Sequence, residues 1–323
     1  MHRAGGDTVT RVAAVDCGTN SIRLLVADID VDAGTLRDVD RRMEIVRLGQ
    51  DVDRTGRFAP DALERTIAAC RRYGDVVRDT GAERVRFVAT SASRDVENRE
   101  ELAAGVRSAL DVEPEVVTGD DEAALSFAGA TRELAGQVVE PVLVVDIGGG
   151  STEFVLGTRT VQAARSVDIG CVRMTERHLR SDPPTVEEIA AARKDIDAAI
   201  SLARQTVPLD RARTLVGLAG SVTTVAAMAL DLPGYQPARI HHARVSADDV
   251  RRVARQLLTM NHDARAALPF MHPGRVDVIG AGALVLAAIL DSVPVREVVV
   301  SEHDILDGIA WSLVARPSPG VVI

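Results

Sequence analysis

Apolar runs broken by short polar turns mark the start of the chain. Val12–Val15 is apolar and ends in Asp16; the turn Cys-Gly-Thr-Asn-Ser follows, and then a second apolar run, Ile22–Ile29. That order predicts strand, tight turn, strand. Thr35–Arg47 continues as a third strand region. Pro60–Asp79 has helical patterning, with a proline at its start and Gly81 just past its end. Arg84–Ala89 predicts a strand, Asp95–Leu110 a helix and Val112–Val117 a strand. Asp120–Leu134 predicts a helix with acidic residues crowded into its first turn.

The opening pattern then returns. Pro141–Asp146 is an apolar strand ending in Asp-Ile-Gly-Gly-Gly-Ser, and Phe154–Leu156 resumes it. VAAVDCGTNSIRLLV from Val12 aligns with VLVVDIGGGSTEFVL from Val142: Asp16 with Asp146, Gly18 with Gly148, Ser21 with Ser151, at a constant offset of 130. The repeat implies a duplicated α/β domain with one such hairpin in each half. Further on, Thr185–Gln205 is a helix with a capping box of Thr185 and Glu188. Leu215–Ala219 is a strand and Gly220-Ser221-Val222-Thr223-Thr224 opens a helix. Ser246–Leu258 and Val276–Leu290 are helices, Val295–Val300 a strand and Asp304–Val314 a last helix. The Pro-rich tail after Arg316 is expected to fray. The expected domains are 1–126 and 127–303, with 304–316 completing the first.

The two Asp-x-Gly-x-x-Ser turns carry the clearest chemistry. Glycines after a strand let the backbone turn sharply and approach a ligand closely. Successive N–H groups there form an anion-binding nest, and Ser and Thr hydroxyls add donors. A carboxylate at the strand's end is placed to hold a divalent cation. One such turn reads as readily as an ordinary hairpin. Two in a duplicated frame point to a clamp on a phosphate chain with its metal. Thr118-Gly119-Asp120-Asp121-Glu122 crowds acids into a first helical turn, where the dipole favours them. Local sequence favours capping there, with Glu122 as a general base the alternative. Arg94, between a strand and a helix, reads alone as a solvated arginine before a phosphate-gripping one. Gly217–Thr224, with Gly220 and Ser221 at its turn, is a generic anion site. Arg275–Gly282 could bring an arginine and backbone near a ligand, but its glycines more often allow helix packing.

Composition narrows the field. The 323 residues, 46% hydrophobic and 26% charged, fit two globular domains large enough to bury their own core. Aromatics are 2%, so the core is expected from Val, Ala, Leu and Ile, and base-stacking platforms are not. A net charge of −9 argues against a nucleic-acid binder, though not against a phosphorylated ligand carried with a cation. Lys194 is the only lysine, which removes the P-loop, the protein-kinase lysine and the pyridoxal Schiff base. Cys17, Cys70 and Cys171 form no CxxC pair and read as buried in a reduced cytoplasm. Met1–Asp7 is polar, without the apolar core of a signal peptide. The apolar stretch Ala281–Leu290 is too short to span a bilayer. His241, His242 and His303 have no metal-ligand spacing, which argues against ligation there. No GxSxG elbow or GxGxxG turn follows a strand.

Taken together, the motifs resemble the exopolyphosphatase/guanosine pentaphosphate phosphatase (Ppx/GppA) family of the actin-like, sugar-kinase and chaperone ATPase superfamily. The matching stretches are AVDCGTNSIRLLV, VATSASRDVEN, VVTGDDEAALSFAGA, VVDIGGGSTEFVLG, DIGCVRMTERHL, GLAGSVTTVAAM, RVDVIGAGALVL and VSEHDILDGI. They run in family order over almost the whole chain. DIGGGSTE with the upstream TGxxEA element is specific to the family; the glycine turns alone are not.

The resemblance implies an α/β fold of two ribonuclease-H-like domains with the site in the cleft between them. It implies Glu122 as the base that activates water and Arg94 as a phosphate grip, reversing the local reading of both. It ties Asp146 and Glu153, with Asp16, to a catalytic Mg²⁺ or Mn²⁺. Gly148, Gly149, Gly150, Ser151 and Thr152 match one phosphate loop; Gly18, Thr19, Asn20 and Ser21 match its partner. The expected reaction is removal of the terminal phosphate of inorganic polyphosphate, with short chains favoured because the extra C-terminal domains of longer members are missing. Guanosine pentaphosphate is the alternative substrate, and a non-catalytic polyphosphate or nucleotide binder the more distant one. Asp121 stands where many members have Glu. A cytoplasmic homodimer is implied, with no nucleic-acid or membrane partner.

Overall fold

The computed structural model describes residues 9–94 and 96–314. The polar N-terminal segment, Asp95 and the tail after Arg316 lie outside the described residues. The first half contains strands β1 (Val9–Cys17), β2 (Ser21–Asp30), β3 (Thr35–Ile45), β4 (Arg84–Ala89) and β5 (Glu115–Val116). Its helices are α1 (Val52–Thr55), α2 (Pro60–Thr80), α3 (Arg99–Leu110) and α4 (Gly119–Thr131). The second half contains β6 (Val142–Ile147), β7 (Thr152–Gly157), β8 (Val161–Val167), β9 (Thr214–Leu218), β10 (Arg244–Ser246) and β11 (Glu297–Val300). Its helices are α5 (Cys171–His178), α6 (Val186–Arg204), α7 (Ala219–Ala229), α8 (Pro237–Ile240), α9 (Ala247–Thr259), α10 (His262–Ala266), α11 (Ile279–Ser292) and α12 (Ile305–Ser312).

The sheets run β3-β2-β1-β4-β5 and β10-β11-β9-β6-β7-β8. In each, a three-stranded antiparallel meander leads with its first strand into a parallel pair: β1 with β4, β6 with β9. The sequence repeat is therefore a structural one. Two ribonuclease-H-like sheets of this order give the actin-like architecture. Their central strands, walled by helices, read as continuous apolar runs. Val142–Ile147 and Thr214–Leu218 are buried along their whole length.

Helix ends follow local chemistry. Pro60 opens α2, and Gly81 closes it in the left-handed conformation at φ 69°. Both arms of the Thr185–Glu188 capping box form at the start of α6. Two boundaries differ from expectation. The helix expected from Asp95 starts at Arg99. Asn98 instead clamps the Phe58 backbone, accepting from its N–H at 2.9 Å. The strand expected over Val112–Val117 is only Glu115–Val116, because Pro114 has no N–H to give a ladder. β8, α5 and β10 carry mixed or short patterns that predicted nothing.

Two helices join the halves. α4 packs Ala123 and Phe127 on Val144 and Val155 of the second sheet. α12 packs Ile305, Leu306 and Ile309 on Val12, Ala14 and Leu25 of the first. The expected boundary at 126/127 falls inside α4. The two helices cross at glycines: a Cβ on Gly129 would stand 1.9 Å from the Asp304 carbonyl, and one on Gly308 2.0 Å from that of Leu125. No helix among the described residues is long and apolar enough to cross a membrane.

Candidate active site

The two repeated turns end the central strands β1 and β6 and make the same bond. The Gly18 N–H donates to the Ser21 carbonyl at 2.9 Å, and the Gly148 N–H to that of Ser151 at 3.1 Å. The turns face each other closely. A Cβ on Gly149 would lie 2.9 Å from Thr19 Cβ and 3.3 Å from the Asn20 amide nitrogen, so only glycine fits without displacement. α5 braces the second turn from behind: the N–H groups of Cys171 and Val172 donate to Gly148 and Gly149 carbonyls, both at 2.9 Å. A third wall comes from Ala219, whose φ of 67° turns β9 into α7 and presents Gly220 and Ser221. The cleft so formed holds about 100 Å³ and is lined by Asp16, Gly18, Thr19, Asn20, Ser21, Glu122, Asp146, Gly148, Gly149, Ser151, Gly220 and Ser221 among others.

Gly150 and Thr152 stand behind that lining. The Gly150 carbonyl accepts from Arg173 Nε at 2.6 Å, and the Thr152 hydroxyl donates to the Ile169 carbonyl at 2.5 Å. Both support the loop; neither faces the cleft. Glu153 sits opposite Asp146 in the β6–β7 register and accepts from the Ser151 and Ser166 hydroxyls at 2.8 and 2.7 Å. Asp146 accepts from the Ser126 hydroxyl at 2.8 Å.

The acidic cluster before α4 divides its tasks. Thr118 is the N-cap, and Asp121 completes its capping box while remaining exposed. Glu122, one residue on, is buried and faces the cleft. Arg94 pairs with it, held by a bond from its Nε to the Val117 carbonyl at 3.1 Å.

Residues 25–316 match the pattern of the Ppx/GppA phosphatase family. The chain belongs to that family. It is 52% identical over 316 residues to Exopolyphosphatase 2 of Mycobacterium tuberculosis, covering 94% of this chain and 99% of that one. A guanosine-5'-triphosphate,3'-diphosphate pyrophosphatase of Aeromonas salmonicida is 26% identical, over 94% of this chain and 59% of its own. Among solved structures, an exopolyphosphatase-like protein superposes with a TM-score of 0.91 at 43% identity, covering 95% and 98% of the two chains. The Aquifex aeolicus PPX-GPPA enzyme superposes at 0.79 with 30% identity, covering 94% and 99%.

In this Ppx/GppA cleft the carboxylates repel one another. Burial, then Glu153 nearby, pushes Asp146 up to about 8. Burial, reinforced by Glu153 and opposed by Arg94, carries Glu122 well above its ordinary value, and burial raises Glu153 too. Asp16 Oδ1 is buried with no hydrogen-bond partner. An orphaned oxygen beside mutually repelling carboxylates fits a divalent cation. A carboxylate whose folded pKa is raised contributes stability at low pH that is lost as pH rises through the folded value. The cation-free protein is therefore expected to melt lower as pH rises from 5 to 8, with the fall levelling off above about 8, where Asp146 has ionised. Excess Mg²⁺ is expected to flatten that slope. Scanning calorimetry with and without chelator checks this; parallel slopes would count against a cation site.

Two arginines that no local motif singles out also line the cleft. Arg23 Nη2 donates to Asp16 at 2.6 Å, and its other arm pairs with Asp304. It occupies in the first hairpin the place Glu153 holds in the second, the same offset of 130, and that symmetry could have flagged it. Arg275 precedes glycines whose spacing favours helix packing, yet it faces the cleft. Its guanidinium lies where a Cβ on Gly220 would sit, 2.3 Å away, and it lines the cleft and an adjoining compartment of about 500 Å³.

Proposed function

We propose that this protein is an exopolyphosphatase that hydrolyses the terminal phosphate of inorganic polyphosphate. One observation carries the reading: a buried glutamate, Glu122, opens onto a cleft between two facing glycine turns. The N–H groups and hydroxyls of Gly18–Ser21, Gly148, Gly149 and Ser151 suit a phosphate chain. Asp146, with Asp16 and Glu153, would hold Mg²⁺ or Mn²⁺, which when bound supplies charge neutralisation on the phosphoryl oxygens.

Glu122 takes the proton of a water aimed in line at the terminal phosphorus. Its raised pKa makes it a stronger base once ionised. Arg94, already beside Glu122, orients that carboxylate and would grip the phosphoryl group. The turn N–H groups receive the negative charge on the transferred phosphoryl, where this chemistry gains most of its rate. The leaving group is the shortened chain.

A second reading, guanosine pentaphosphate hydrolysis, is favoured by the adjoining compartment. Tyr235, Phe270 and Met271 line it beside Arg275, so two of the chain's few aromatics gather where a nucleoside would extend from the phosphate clamp. Orthophosphate release from short polyphosphate, long polyphosphate and guanosine pentaphosphate, each with Mg²⁺, separates the readings. Turnover of polyphosphate, fastest on short chains, is expected. Turnover of the nucleotide alone would transfer the function to it, and release from none would leave a binding protein.

A further inference from the structure

Three histidines that the sequence scatters meet outside the cleft lining. His241 and His242 follow α8; His303 lies between β11 and α12. The His241 and His242 rings stack with centroids 3.7 Å apart, and His303 lies 4.7 Å from His241. Glu133, just past α4, aims one oxygen at two of them: Oε2 is 3.1 Å from His241 Nε2 and 3.3 Å from His303 Nδ1. One donor atom each from Glu133, His241 and His242 lies within 4.8 Å of the others. His242 Nε2 is buried without a hydrogen-bond partner. The backbone there is left-handed, φ 62°, a conformation that costs energy away from glycine.

We propose that Glu133, His241 and His242 form a binding site for a divalent transition ion of the zinc class, with His303 at its edge. Donors around a tetrahedral ion at bond lengths near 2.0–2.1 Å stand about 3.4 Å apart. These side chains need to close by only about an ångström or so to reach that spacing. Two imidazoles and a carboxylate, with a fourth position for water, form a set that zinc accepts, whereas magnesium takes oxygen ligands. The site therefore differs in kind from the carboxylates of the cleft. Burial biases both imidazoles toward the neutral form that a metal requires. Spacing along the chain argued against ligation because Glu133 is 108 residues from His241.

Loading would rearrange one hydrogen bond. The Glu302 N–H donates to His241 Nδ1 at 3.1 Å, so the neutral ring carries its proton on Nε2 and gives it to Glu133. The ion takes the Nε2 position, that proton leaves to solvent, and Nδ1 becomes protonated in its turn. Two donors then face each other, and the Glu302 bond is released. Glu302 lines the compartment beside the cleft, and Asp304, two residues on, pairs with Arg23. One backbone turn thus links the histidine cluster to the phosphate site.

The test is calorimetric titration of Zn²⁺ into untagged, chelator-washed protein kept in excess Mg²⁺. One equivalent per chain is expected. Affinity should fall about tenfold or more in His241→Gln and in His242→Asn, asparagine being chosen because it tolerates left-handed backbone. Melting in chelator checks that both variants fold. The Co²⁺-loaded unmodified protein should show the visible bands of a tetrahedral nitrogen-oxygen site whether or not the variants fold. Failure to bind Zn²⁺, binding that both variants retain, or octahedral Co²⁺ bands would each overturn the site.

Discussion

Replacing Glu122 with glutamine is expected to lower orthophosphate release by about 100- to 10,000-fold, the usual contribution of a positioned general base. The substitution keeps the side chain's shape and its ability to accept from Arg94, but removes its ability to take a proton. Substrate affinity should change far less, because the glycine turns and Arg275 are untouched. Asp121→Ala is the paired control. Asp121 closes the capping box of α4 and is exposed, so its loss should cost about 1 kcal/mol of stability with little change in rate. The two adjacent acids thereby separate capping from catalysis. Steady-state release with Mg²⁺ decides the matter. A Glu122→Gln rate within about tenfold of the parent would remove this residue from the role of base.

The contrast between those neighbours shows what the sequence could and could not say. The helix, the cap and the acidic first turn were all legible. Helix phase then distinguishes the two acids: with Thr118 as N-cap, Asp121 falls at the third position, where a capping box needs it. Glu122 is left to face elsewhere, but only the packing of α4 on the second sheet shows that it faces the cleft. The duplicated hairpins were legible because strand period and glycine turns are local signals. Arg94 was legible only through the family resemblance and not from local signals, since its partner Glu122 is 28 residues away. Arg23 was hidden for the same reason: it sits inside an apolar run, and its second partner, Asp304, is 281 residues distant. Gly150 and Thr152 show the converse. Their motif places Gly150 in the loop and Thr152 at the start of β7, but the orientation of a carbonyl and a hydroxyl toward Arg173 and Ile169 is set by α5 and the segment before it, whose hydrophobic pattern predicted no element.

Arg23→Leu is expected to be the most destabilising single change near the cleft. Arg23 joins Asp16 of the first sheet to Asp304 at the entry of α12, with carboxylate side chains only 6% and 4% exposed. Removing the cation leaves two buried negative charges facing each other, and breaking a buried pair in this way costs about 3–5 kcal/mol. For a protein of this size that corresponds to a fall in melting temperature of roughly 5–10 °C. Asp304 cannot easily turn away, because it also caps α12, accepting from the Leu306 N–H at 3.0 Å. The effect should depend on pH. Burial disfavours the charged form of Asp304, but Arg23 overrides it and holds the carboxyl below its ordinary value. Its stabilising contribution is present above the unfolded pKa and is lost as pH falls through the lower folded one. Without Arg23 both carboxyls shift upward and accept protons more readily, so the gap between parent and variant should be widest near neutrality and narrow toward pH 4. Arg23→Lys should fall between the two, since an ammonium keeps the charge but lacks the fork that reaches both carboxylates at once. Scanning calorimetry at pH 7.5 and 4.5 tests the set. A gap that stays constant with pH would mean that Arg23 stabilises the cleft through packing of its stem and not through its charge.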